Sequence, residues 1–165
     1  MKKIALILIA FLAACSTPSI PIEPYIGTVN GIYMPLAVYM IYLEEQIVFF
    51  EEIGGTAIWQ ADFGIQTAEQ VAMEHALDNM ALSLIIRNIA KENNISASEI
   101  SFSEETYYEF FFESIAIREA LMNHLTVAYA ENQREEIFEN MEETWLAEAT
   151  IIRNVTEWDK IGVAR

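Results

Sequence analysis

The alternation of apolar and polar positions divides the chain into an unbroken apolar start, a short strand-like opening and four long helical stretches. Ile4 to Ala14 carries no polar side chain. Ile26-Gly-Thr-Val-Asn-Gly-Ile-Tyr-Met34 then sets Asn30-Gly31 between apolar residues, which is a hairpin-type turn signal. Pro35 suits the first turn of a helix. Leu36 to Ile53 is a long apolar run interrupted by Glu44-Glu45-Gln46 and ended by Gly54-Gly55. A loop is expected from there to Gly64, with Trp59 and Phe63 in it.

No glycine or proline occurs between Gly64 and Gly162. That stretch is expected to be mostly helix, punctuated by Asn and Ser. Thr67-Ala-Glu-Gln70 has capping-box spacing. Met73, Leu77, Met80 and Leu84 follow on one face, with Ala81, Ile85 and Ile89 beside them. Lys91-Glu-Asn-Asn94 closes this second helix, and Ser96, Ser98 and Ser103 offer new caps. A third helix is expected from about Glu104 to Ala130, with Phe110, Phe111, Ile117, Leu121 and Leu125 as its core stripe. A fourth, from about Gln133 to Ala149, places Ile137, Phe138, Met141 and Trp145 inside and Glu135, Glu139, Glu142 and Glu143 outside. Thr150-Ile-Ile-Arg153 is a short β-like run able to pair with the opening strand, and Trp158 to Ile161 finishes the chain. The expected fold is mainly α: four to five helices, with an N-terminal strand or hairpin and a short C-terminal strand.

The start carries an address. Lys2 and Lys3 are the only charges in the first 22 residues. The apolar run of residues 4–14 is too short to span a bilayer, which takes about 20 residues. A basic start, a short apolar centre and small residues at its end describe a secretory signal. Leu12-Ala13-Ala14-Cys15 resembles the bacterial lipobox, in which the cysteine is lipidated and becomes the first residue. This reading divides the chain into a signal (1–14), a lipid-anchored proline-rich tether (15–25), a helical domain (26–161) and a tail (162–165). An ordinary signal followed by an incidental thiol, or a buried N-terminal helix, are the competing readings. Cys15 is the only cysteine, so no disulfide is available and the domain depends on its core. The expected location is the extracytoplasmic face of a bacterial membrane, with the lipid as attachment.

Charge narrows the partners. Without the first 14 residues, seven of the nine Lys/Arg stand against 25 Asp/Glu, a net charge near −18. Nucleic acid is not an expected partner, because binding it needs basic side chains against phosphates. The acidity favours cationic partners and solubility, and solubility alone also accounts for it.

The chemistry-bearing patterns are few. A helical di-iron site needs Glu three residues before His, whereas Ala72 precedes His75 and Leu121 precedes His124. Gly54-Gly55 lacks the lysine and hydroxyl residue of a phosphate loop. Neither a zinc pattern nor a serine triad can be assembled. No metal, cofactor or catalytic residue is expected. What is left over is aromatic. Tyr107-Tyr-Glu-Phe-Phe-Phe112 spreads rings over more than half of a helix circumference, and the first helix adds Tyr39, Tyr42, Phe49 and Phe50 on several faces. One stripe suffices to pack a helix on a core. Further apolar faces either meet more helices or line a binding groove. The candidate contacts for a binding partner are Tyr39, Tyr42, Phe49, Tyr108 and Phe112.

Thr28-Val-Asn-Gly31, followed by Pro35 and a helix, resembles the opening strand of the SurA/PrsA-type foldases. Glu74-His-Ala-Leu-Asp-Asn-Met-Ala-Leu82, running into Ile89-Ala-Lys-Glu-Asn-Asn-Ile95, resembles their second helix and its exit. Trp145-Leu-Ala-Glu-Ala-Thr-Ile-Ile152, Asn154 and Trp158-Asp-Lys-Ile161 resemble the segment that completes the same domain. The resemblance implies a chaperone domain for unfolded or newly exported polypeptides, working without nucleotide. The family usually carries one or more parvulin domains before its last helix, and its prolyl isomerase activity resides there. Leu125-Thr-Val-Ala-Tyr-Ala130 runs straight into Glu131-Asn-Gln-Arg-Glu-Glu136, so that insert is expected to be missing. An adaptor lipoprotein with one dedicated partner, and a divergent isomerase relative, are the other readings.

Overall fold

The computed structural model describes residues 23–61, 63–95 and 106–162. Cys15, the signal, most of the tether, the Ser96, Ser98 and Ser103 caps and residues 163–165 lie outside these.

Strands β1 (Tyr25–Val29) and β2 (Ile32–Pro35) form the expected hairpin. Asn30 and Gly31 take φ of 50° and 81°, so the turn needs residues that tolerate the left-handed region. Tyr25, expected to end the tether, is strand and pairs with Pro35. The C-terminal strand β3 (Ile151–Arg153) lies antiparallel on the other side of β1, giving the order β2-β1-β3. Val29 sits opposite both Ile32 and Ile151. The Asn30 N–H donates to the Thr150 carbonyl, and the Thr150 N–H donates to Asn30 Oδ1, both at 2.9 Å. The turn residue that makes the hairpin therefore also receives the returning chain. Gly27 is where that strand comes close: a Cβ there would lie 2.5 Å from the Ile152 carbonyl oxygen.

Four long helices follow: α1 (Leu36–Gly54), α2 (Ala68–Glu92), α3 (Tyr107–Leu125) and α4 (Glu131–Glu148). A short α5 (Val155–Trp158) ends the described fold. Pro35 caps α1 from the end of β2 rather than lying in its first turn. The expected loop after α1 contains a 3-10 helix, Gly55–Gln60, which turns Trp59 inward to stack on Phe50 with centroids 5.8 Å apart. The Thr67–Gln70 capping box forms in both directions and satisfies two N–H groups that the helix start leaves over. α3 ends at Leu125, five residues early, where Thr126 turns its hydroxyl back onto the Met122 carbonyl.

The main core lies where the sheet, α1 and α2 meet, around Ile26, Met34, Tyr39, Leu43, Leu77 and Met80. The expected α2 stripe is buried as read, with Ile89 partly so. A second core, of Ile86, Ala90, Ile117, Leu121 and Phe138, joins the ends of α2, α3 and α4. Each large apolar side chain buried in either contributes about 1.5–3 kcal/mol. Among the described residues, no helix is long and apolar enough to cross a membrane.

Candidate functional site

The five expected contact residues separate into two groups. Tyr39 and Tyr42 are buried, which corrects their assignment as binding residues. Both fall on the face of α1 that packs on α2. The Tyr39 hydroxyl donates to the Met73 carbonyl at 3.2 Å, and the Tyr42 hydroxyl donates to Ser83 Oγ at 2.8 Å. Burial lifts both phenols above their ordinary range. Glu74 adds to the rise at Tyr39, while Arg153 opposes it; hydrogen bonding with Ser83 and Ser114 opposes it at Tyr42. These are structural tyrosines, and their polar tips find partners as buried ring hydroxyls do.

Phe49, Tyr108 and Phe112 point outward, at 51%, 56% and 64% exposure. They do not form one site. Phe49 lies towards the end of α1, its ring 6.0 Å from that of Phe50, with Ile53 exposed beyond it. Phe112 and Ile115 share the outer side of α3; Phe112 meets Phe111, which in turn meets the buried Tyr42. Tyr108 lines a groove of about 390 Å³ between α1 and the start of α3.

That groove is the best-formed apolar concavity of the three places. Its floor is one helical stripe of α1: Ala37, Met40, Ile41, Glu44 and Ile47. Residues three and four apart on a helix share a face, so the stripe is present in the sequence, but Met40 and Ile47 carry no ring and are hidden among the aromatic side chains of α1. Tyr107 and Tyr108 form one wall, and Gly162 closes an end. Tyr107 is fixed by donating its hydroxyl to Glu23 at 2.7 Å.

Two ion pairs brace α3 beneath these surfaces. Arg87 of α2 is buried, donates to Glu113 at 2.8 Å and lies 4.6 Å from the centre of the Phe110 ring. Arg118 of α3 makes a two-pronged bond to Glu142 of α4, and these bonds hold the guanidinium charged by raising its already high pKa. Glu142 was expected outside; it is buried because Arg118 draws it in. His75 and His124 are both exposed, and no metal-ligand cluster occurs among the described residues.

The fold thus defines a mainly α domain closed by a three-stranded antiparallel sheet, with apolar ground left uncovered on α1 and α3. No protein-family model, curated protein or solved structure matches the chain.

Proposed function

We propose that the chain is a membrane-anchored chaperone module that holds apolar, extended segments of newly exported polypeptides without nucleotide. The observation that supports this most is the outward placement of Tyr108 in an apolar groove, with Phe112 exposed elsewhere on α3. Large rings kept in water by a domain with two filled cores favour a surface made for other chains. Met40 in the groove floor suits varied clients, because a flexible thioether side chain fits many shapes. The resemblance of the hairpin, α2 and the C-terminal segment to SurA/PrsA-type foldases supports the same reading. The α3–α4 turn, residues 126–130, holds no inserted domain, so the proposal assigns holding, not isomerisation, to this chain. Lipidation of Cys15 would supply the anchor.

The test mixes the purified full chain with a chemically unfolded protein that aggregates on dilution and follows light scattering. Suppression near a one-to-one ratio is expected. It should weaken in the Tyr108→Ser, Phe112→Ser double variant, whose helical circular dichroism should be unchanged because both side chains are exposed. Undiminished aggregation with the folded wild-type chain would overturn the reading in favour of an adaptor with one dedicated partner.

A further inference from the structure

We propose that the groove between α1 and α3 selects segments in which the apolar run is flanked by lysine or arginine. The inference rests on the chaperone reading above and names the client chemistry. Three carboxylates from three parts of the chain stand in the groove or against residues that line it. Glu44 lines the groove itself. Glu23 accepts the Tyr107 hydroxyl. Glu69 Oε1 lies 3.3 Å from where a Cβ on Gly162 would sit. Against them, the sequence from Ile4 to Ile86 contains no lysine and no arginine, so the hairpin and all of α1 lack a cation. Lys160, two residues before Gly162, is held by Glu157 at 2.7 Å.

The dimensions suit an extended segment. From Ala37 to Ile47 the α1 stripe rises about 15 Å at 1.5 Å per residue. An extended chain covers that with four or five residues at about 3.3 Å each. A client would lay its apolar side chains on Met40, Ile47 and Tyr108 and bring its flanking charges to the rim. Such complementarity acts on association and on discrimination between partners, and salt screens it. The apolar floor supplies contact, and the rim decides which apolar segments stay.

Two peptides test this, each carrying a neutral dye: acetyl-Lys-Lys-Val-Phe-Val-Phe-Ser-amide and its twin with two Glu in place of the lysines. Binding to the full chain is read by fluorescence anisotropy. The lysine peptide should bind at least about tenfold tighter at 50 mM salt, and 500 mM salt should remove most of that preference. Glu44→Gln should reduce the preference while retaining apolar contact. Met40→Ser with Tyr108→Ser should weaken both peptides. Equal, salt-insensitive binding of the two peptides would overturn the charge selection and leave the chaperone reading standing. Aggregation suppression without binding of either peptide would place the holding surface elsewhere and overturn the groove. Absence of both activities from the folded chain would overturn both readings. A concentration-dependent dimer that Met40→Ser dissociates would make the groove an interface between copies instead, which also overturns the inference.

Discussion

α4 fully buries one apolar side chain, Phe138, and one carboxylate beside it, and this makes one ion pair weigh heavily. Phe138 and Glu142 are its buried residues. Glu142 receives Arg118 Nε and Nη2 at 2.7 Å each, Glu135 lies 2.9 Å from Nη1, and the guanidinium sits 5.3 Å from the centre of the Phe138 ring. The partners differ in access to water: the Glu142 side chain is 9% exposed and the Arg118 side chain 33%. Removing Arg118 strands a carboxylate in the α3–α4 contact. Removing Glu142 leaves an arginine that keeps Glu135 and reaches solvent. Stranding a buried charge costs about 3–5 kcal/mol, whereas an exposed pair is worth about 0–1 kcal/mol. Because solvent already reaches Arg118, the low end applies: Arg118→Met is expected to cost about 3 kcal/mol and Glu142→Met about 1 kcal/mol. The double variant should cost no more than Glu142→Met, since a buried pair replaced by apolar side chains is often neutral. For a domain of this size the arginine variant should melt roughly 6–12 °C lower. Urea unfolding followed by far-ultraviolet circular dichroism measures all three, with constant m-values confirming a common two-state process. A Glu142→Met cost equal to that of Arg118→Met would refute the reasoning. So would a double variant whose cost is the sum of the two.

Two other expectations follow from buried contacts. Tyr39 and Tyr42 are held above the ordinary pKa of 10.0 by burial, so the unfolded chain ionises first. Their stabilising effect is complete below pH 10.0 and is lost as pH rises past it, at up to about 1.4 kcal/mol per pH unit for each tyrosine; Tyr39→Phe should flatten that decline in urea midpoints taken from pH 9 to 11, and an unchanged slope would contradict the assignment. Gly27→Ala should cost about 2 kcal/mol in thermal melts, because its Cβ meets the Ile152 carbonyl and the strands must separate; an unchanged melting temperature would mean that β3 does not rest on Gly27.

The order of elements was legible because each carried a local signal. Asn30-Gly31 announced the hairpin, Thr67–Gln70 the start of α2, and the Met73–Leu84 stripe its buried face. Even the pairing of the C-terminal strand followed from its composition. What the sequence hid depends on partners distant in the chain. Glu142 falls on the Phe138–Trp145 side of α4 by helical spacing, but as a carboxylate it reads as outside, and only Arg118, 24 positions earlier, gives it a partner there. The 3-10 helix at Gly55–Gln60 was hidden because its cause is the tertiary stacking of Trp59 on Phe50, not its propensity.

The binding surface was half legible for a related reason. Counting rings on α1 showed that it had more apolar faces than one contact needs, but not which face α2 takes. α2 took the one with Tyr39 and Tyr42, whose hydroxyls reach the Met73 carbonyl and Ser83. Met40 and Glu44, on a neighbouring face, were thereby left to solvent, with Ile47 half-buried one turn on. The side chain that carries charge into the groove is the same Glu44 that reads in sequence as an interruption of an apolar run. Exposed apolar surface invites self-association, and a net charge of −16 opposes it by repulsion between copies. Acidity and uncovered aromatic ground are therefore linked: the charge that opposes contact between copies of the domain is the charge that would draw a basic client to Met40 and Tyr108.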